Sequence, residues 1–412
     1  MTGLFAQVSQ GAGAVGIILV VKQHSGSLAL AGAVVGTLSI VAGLARPIQG
    51  RLIDAHGSAG VMAVCGVVHP AAMIAIVALT QAGAIGWPLV VAGGLAGLAL
   101  PPVSTSMRVV WGEAASADQR TLAYSLTYLT QETAILVGPL ILAAVVAIAS
   151  AAAALTVIAV VSAVGTLSFA ASLREPRQSG PLPAEPRSTA LRSGGVRALV
   201  AVGFLVGGVV GGIEVAAPAF AVTHGVPAIG GVLIAALSVG GIAGAALYGG
   251  RKWRSAPAER LVALLAALAL AVVLELTMDS IVEVGILLLL AGAALNPSLT
   301  TISLLVDEHT PGRTAAEAVG WLSTGLAAGA GVTSAIAGAL AGHHNDWRAA
   351  FLVAAAAGAA ATALAALLRT GRLGRRREGS LPHEPAPLSR ITPDRSPRRT
   401  APVRSQIEPT EQ

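Results

Sequence analysis

Apolar residues run along this chain in long blocks, each broken by a short polar or glycine-rich stretch. The blocks do not alternate apolar with polar positions, so they are not the short dyad strands of a membrane barrel. A helix needs roughly 20 apolar residues to cross the ~30 Å hydrocarbon core. Inside the bilayer no water is available, and a helix pairs its own backbone N–H and C=O groups. The pattern predicts spans at about 3–21, 28–46, 61–80, 87–107, 121–148, 150–172, 197–220, 228–249, 258–276, 281–305, 314–341 and 347–369. The expected fold class is an all-α polytopic membrane protein with 12 transmembrane helices.

Composition sharpens this picture. The chain of 412 residues is 54% hydrophobic and 11% charged, with a mean hydropathy of +0.76. Soluble domains carry roughly 25% charged residues, so most of this chain has no water to face. A pI near 10.4 would suit a nucleic-acid binder. The arginines, however, sit between apolar blocks and in a tail rather than on one folded face. The lipid bilayer is therefore the expected partner, and nucleic acid is not. Cys65 is the single cysteine, which excludes an intrachain disulfide and a cysteine-based metal site. The first span starts within a few residues of Met1 and lacks a basic n-region. It reads as a retained helix rather than a cleaved signal, and its missing lead-in points to a truncated start.

The charges also orient the spans. Of the 26 lysines and arginines, all but Lys22 and Arg348 fall on one side of the predicted membrane. The short loops alone carry this bias, through residues such as Arg46, Arg51, Arg108, Arg120, Arg251 and Lys252. The positive-inside rule then places both termini in the cytoplasm. Arginine far outnumbers lysine, and alanine and glycine are abundant, as in a GC-rich bacterial genome. The expected location is a bacterial cytoplasmic membrane. Residues 174–196 are rich in Pro, Ser and Arg and read as a flexible cytosolic linker. They divide an N-terminal six-helix bundle, 1–173, from a C-terminal one, 197–369. Residues 370–412 read as a disordered basic cytosolic tail.

The two halves repeat each other. "AGLALPPVST" at 96–105 matches "AGAALNPSLT" at 291–300. "RTLAYSLTYLT" at 120–130 matches "RTAAEAVGWLS" at 313–323, and "GAVVGTLS" at 32–39 matches "GVLIAALS" at 231–238. The offsets are nearly equal and the order is kept. A shift of six spans preserves orientation, so the two bundles form a parallel repeat about a pseudo-two-fold axis along the membrane normal.

Between the second and third spans the chain reads Gly50-Arg51-Leu52-Ile53-Asp54-Ala55-His56-Gly57. With the twelve spans, the linker and the repeat, this G-x-L-x-D-x-x-G signature resembles the major facilitator superfamily over residues 1–369. Ser58, Ala59 and Gly60 replace the basic residues usual after the last glycine. The resemblance implies that Asp54 latches the cytoplasmic side shut in the outward-open state. A carboxylate there can meet the positive N-terminal end of a neighbouring helix. The alternative is a solvated loop aspartate between turn glycines. Gly138-Pro139 matches the centre of the Gly-Pro signature of family antiporters, while Ala134, Leu142 and Ala143 depart from the surrounding glycines. The fourth-span arginine of proton-coupled drug exporters is missing by this reading, because Arg108 falls at the cytosolic end of that span.

Ionisable groups inside a span default to functional hypotheses. Glu132, Glu214 and Glu317 qualify, and no lysine or arginine falls well inside a predicted span to pair with them. Glu132 is near mid-membrane and shares a stripe with Tyr124 and Tyr128, with Gln131 alongside. That polar strip fits a cavity wall and a proton as coupling ion; a glutamate bonded to a neighbouring helix is the alternative. Glu214 lies among glycines that could serve close packing alone. Glu317 reads as a helix-start carboxylate with Arg313 at i−4. Gln7, Gln10, Asn296 (before Pro297) and Trp321 could line the same cavity or simply join helices.

No Walker A, G-x-S-x-G or H-E-x-x-H motif is present, so neither an enzyme nor a cofactor is expected. His343-His344 reads as a solvated loop pair rather than a metal site. The leading expectation is a monomeric secondary transporter that exports small, largely apolar molecules by alternating access, coupled to protons. An importer of a sugar or small acid is the second reading, with an anionic cargo disfavoured for want of a buried cation. A membrane sensor signalling through its basic tail is the third.

Overall fold

The chain is seen in a computed structural model that describes residues 2–173, 190–226, 229–310, 314–344 and 346–370. Regular structure among them is helical throughout. The first half holds α1 (Thr2–Ser25), α2 (Leu28–His56), α3 (Ser58–Gln81), α4 (Trp87–Leu98), α5 (Val103–Ala114), α6 (Ala117–Ile148) and α7 (Ala151–Ser172). A 3-10 turn at Ala190–Arg192 precedes α8 (Gly194–Thr223), α9 (Ile229–Gly249), α10 (Pro257–Glu275), α11 (Ile281–His309), α12 (Ala315–His344) and α13 (Trp347–Arg369). Twelve segments are long and apolar enough to cross a membrane, with α4 and α5 together forming the fourth. Most of the expected linker and all but the first residue of the tail lie outside the described residues, as does Arg313.

Several expected span ends fall short of the helices, most of all at the end of α2, while 347–369 coincides with α13. A bilayer fixes only the apolar stretch, and nothing stops a helix from continuing into polar sequence beyond it. The signature at 50–57, expected in a loop, is the last two turns of α2. Only Gly57 separates α2 from α3, at φ 85° and ψ 162°. That region of backbone space is open essentially to glycine alone. His343 and His344 close α12 rather than lying in a loop.

The fourth span is broken. Pro101 and Pro102 remove two successive backbone donors and push the preceding residue out of the helical region. The repeat-equivalent Pro297 is single, and α11 continues through it. Carbonyls freed at the break find side-chain donors. Gln49 Nε2 donates to the oxygens of Leu98 (2.9 Å) and Leu100 (3.2 Å), and Arg46 Nη1 donates to that of Pro101 (3.3 Å).

Packing follows the repeat. In the first half α1 packs on α6 and α7, α3 packs on α4 and α7, and α2 packs on α4. In the second half α8 packs on α12 and α13, α10 on α11 and α13, and α9 on α11. The correspondence reaches single residues. A Cβ on Gly97 would lie 2.2 Å from the Leu38 oxygen, and one on Gly292 would lie 2.0 Å from the Leu237 oxygen. These are equivalent positions of the repeat. Absence of a side chain lets the backbones touch, which substitutes for the hydrophobic drive that lipid removes. One apolar core joins α8 to α13, and separate cores serve the first half. A small cluster of Ala123, Tyr124 and Leu304 bridges the halves. The remaining contact between halves pairs α12 with α2 and α5, and α6 with α9 and α11, a relation the pseudo-two-fold preserves.

Candidate functional site

The cross-half bonds gather at one end of the bundle, the face on which the chain passes from α7 to the 3-10 turn. The C-terminal end of α2 meets the N-terminal end of α12 there. Gly50 lets them close, since a Cβ on it would stand 2.4 Å from the Ala316 oxygen. Asp54 Oδ1 accepts from the Ala316 N–H (3.0 Å) and Oδ2 from the Glu317 N–H (2.8 Å). Two otherwise orphaned donors of the α12 first turn are thereby satisfied, and a carboxylate sits at the positive helix end, worth ~0.3–1 kcal/mol. Thr324 donates to the Gly43 oxygen (2.7 Å) about two turns deeper along α12.

Glu317 is the hub of this contact. Its carboxylate pairs with Arg51 (2.9 Å) and accepts from the Ala190 N–H and from Trp321 Nε1, both at 3.3 Å. The expected reading of Glu317 as a local helix-start group therefore changes: it joins α2, α12 and the end of the linker. Trp321 serves that hub and is not among the cavity-lining residues. Leu52 is 43% exposed.

The pseudo-symmetric contact brings the start of α6 against α9 and α11. Tyr124 donates to Asp307, and Tyr128 bonds both Arg108 and Ser303, the latter at 3.1 Å. Ser125 and Thr300 hydroxyls lie 3.4 Å apart. Tyr124 and Tyr128 are buried in this seam, which corrects their expected place on a cavity wall. The stripe they share with Glu132 is real, but its first two turns close the seam and only its last turn reaches open space.

That space is a cavity of about 430 Å³ between the halves, lined from α1, α2, α5, α6, α8, α9, α11 and α12. Gln10, Gln131, Glu132, Glu214 and Asn296 line it. Gln131 accepts from Ser104 (2.9 Å), and Glu132 faces Ser238 and Asn296. Gly241 makes room for that meeting, because a Cβ there would be 2.5 Å from Asn296 Nδ2 and 3.6 Å from the Glu132 carboxyl carbon. Gln7 is not among the lining residues; it is fully buried against Met107. Gly138 packs on α1, with a Cβ position 3.0 Å from the Val8 oxygen, and α6 runs on through Pro139.

Two lining residues escaped the sequence reading. Arg46 and Arg108 both line the cavity. They were placed at cytosolic span ends; α2 continues ten residues past Arg46 to His56, whereas Arg108 does lie three residues before the end of the fourth span at Trp111. The expectation that no lysine or arginine falls well inside a span therefore changes for Arg46, which the longer α2 takes in, and not for Arg108. Pro47 and the Pro101-Pro102 pair were the available signals, since a basic residue beside a helix irregularity commonly serves freed carbonyls. No cluster of metal-ligating side chains occurs among the described residues.

Comparison with known proteins agrees with this architecture. A sequence model of the Major Facilitator Superfamily matches residues 1–316 and 258–405. No curated protein sequence matches the chain. Among solved structures, a bacterial homologue of the iron transporter ferroportin in an outward-facing state is similar at a TM-score of 0.73 and 16% identity, covering 90% of this chain and 98% of that one. FucP, a transporter crystallised in the outward conformation, is similar at a TM-score of 0.69 and 14% identity, covering 89% and 96%. At such identities the likeness is one of fold. The family match spans both halves and both copies of the repeat, so the chain belongs to the Major Facilitator Superfamily, whose members are membrane transporters and not enzymes.

Proposed function

We propose that the chain is a secondary active transporter that works by alternating access and is seen here open toward the outside, with both termini in the cytoplasm. The observation that carries this reading is the one-sided distribution of cross-half bonds. The Asp54 contact and the Tyr124–Asp307 seam hold the linker face closed, while the cavity beyond them is lined from both halves. Asp54 acts as the latch of that face. Rocking of the two bundles about the cavity would break these bonds and expose the same residues to the other side.

Glu132 is the proton-coupling group in this reading. It lies at the cavity wall beside Asn296 and Ser238, where a change of access changes its contact with water. The expectation of largely apolar cargo rested on an absence of fixed charge. Four ionisable side chains lining one cavity (Arg46, Arg108, Glu132 and Glu214) favour a polar cargo instead. Import and export use the same geometry, and the coupled gradient sets the direction.

The test is accessibility. With Cys65 replaced by Ala, a single cysteine at Gln10 should react with a membrane-impermeant thiol reagent from the outside. Adding Asp54→Asn should make it reactive from the cytoplasmic side as well. Reaction confined to one side in both proteins would remove alternating access.

A further inference from the structure

We propose that the cavity takes a small organic anion, whose carboxylate or phosphate docks at the break in the fourth span, on the N-terminal turn of α5 between Arg46 and Arg108. This rests on the transporter reading and names the class of its cargo.

The first support is the helix end itself. α5 is 12 residues long and starts beside the cavity, with Leu100, Ser104, Thr105 and Arg108 among the lining residues. Its N-cap is Pro102, and no side chain caps its first turn. Free N–H groups and the aligned peptide dipoles favour an anion at such a position. Interrupted spans in carriers present half-helix N-termini to anionic groups for the same reason.

The second support is independent of the helix. Arg108 is 6% exposed, lines the cavity, and leaves its Nε without a partner. Its guanidinium is held over the Tyr128 ring, 4.7 Å from the centroid, and bonded to the Tyr128 hydroxyl. Arg46, which also lines the cavity, has one bond at 3.3 Å to the Pro101 oxygen. Neither arginine makes an ion pair among the described residues. Asp307 lies within electrostatic range of Arg108 but is engaged by Tyr124 in the closed seam. Two guanidiniums therefore line a low-dielectric site with no ion-pair partner among the described residues. A planar donor fork of this kind matches a carboxylate or phosphate, and one ion pair there offsets the desolvation of both arginines. The cavity volume, about 430 Å³, is that of a small-molecule site.

Glu132 and Glu214 raise the competing case, a cationic cargo, and the experiment separates the two. The full chain, purified in detergent, is melted with benzoate, phenyl phosphate, benzyl alcohol and benzylammonium, each at millimolar concentration and constant ionic strength. A ligand that binds only the folded state raises the midpoint. Benzoate or phenyl phosphate should raise it by several degrees, and the neutral and cationic probes should not. Arg46→Gln should abolish the shift, and Arg108→Lys should keep part of it. Arg46→Gln removes one weak bond, so it remains informative even where Arg108→Gln does not fold. No shift with either anion, an undiminished shift in Arg46→Gln, or a shift with benzylammonium alone would overturn the proposal. Equilibrium binding needs no translocation. Anion binding without counterflow in proteoliposomes would therefore leave the site standing and remove the transport reading, and counterflow of a neutral cargo without anion binding would do the reverse.

Discussion

Asp54 and Glu132 are both carboxylates at helix surfaces, and the proposed function gives them different work. Asp54 accepts two backbone donors from the opposite half, so its loss should be felt when the halves separate and rejoin. Asp54→Asn keeps the shape but donates where an acceptor is needed. Transport should fall severalfold, while membrane insertion and abundance stay near wild type, because a partly exposed carboxylate adds little to folding. Wild-type transport by a well-expressed variant would end the latch role. Glu132→Gln mimics the protonated group permanently. Counterflow down a concentration gradient should persist, and uphill accumulation driven by a pH gradient should be lost. Undiminished pH-driven accumulation would move the coupling role to Glu214, the other carboxyl lining the cavity. Gly57→Ala forces a side chain into backbone space reserved for glycine, at a cost of ~1–3 kcal/mol, visible as a lower melting temperature in detergent.

At the level of elements, the apolar blocks were readable because the bilayer demands them, and every expected span has its helix. Helix ends were not, because the polar sequence past the membrane carries no such demand. That one gap hid the signature at 50–56 inside α2 and Arg46 at the cavity, while the seam role of Tyr124 and Tyr128 depends on the partner half. Gln131, Glu132, Glu214, Asn296 and Gln10 could be singled out because a polar side chain in an apolar run is conspicuous. Arg46 could not, since an arginine near a span end is what topology alone predicts. The repeat was legible in three short matches, and its physical meaning lies in the touching backbones of α2 with α4 and α9 with α11. Gly97→Val and Gly292→Val should each overpack their contact, by ~1–3 kcal/mol or more. Similar losses of thermal stability are expected from the two, since they occupy equivalent places. A large loss from one and none from the other would deny the structural equivalence of the halves.

For the whole molecule, orientation is the first thing to establish. Reporter fusions after Ser179 and after Ser380 should read cytoplasmic, and one near Gln81 should read extracytoplasmic. A cytoplasmic signal at Gln81 would overturn the arrangement of spans. The sealed face then has a thermodynamic consequence. Bonds that hold only one conformation tilt the resting equilibrium, and the empty carrier spends little time in the other. A solute approaching the sealed face meets the competent form only in that small fraction, so its apparent dissociation constant there is multiplied by the reciprocal of the fraction. Each 1.4 kcal/mol of tilt is about a tenfold handicap. On the proposed mechanism the carrier at rest would be a rectifier, reading solute concentration on one side far more sensitively than on the other. Loosening Asp54 would make it even-handed.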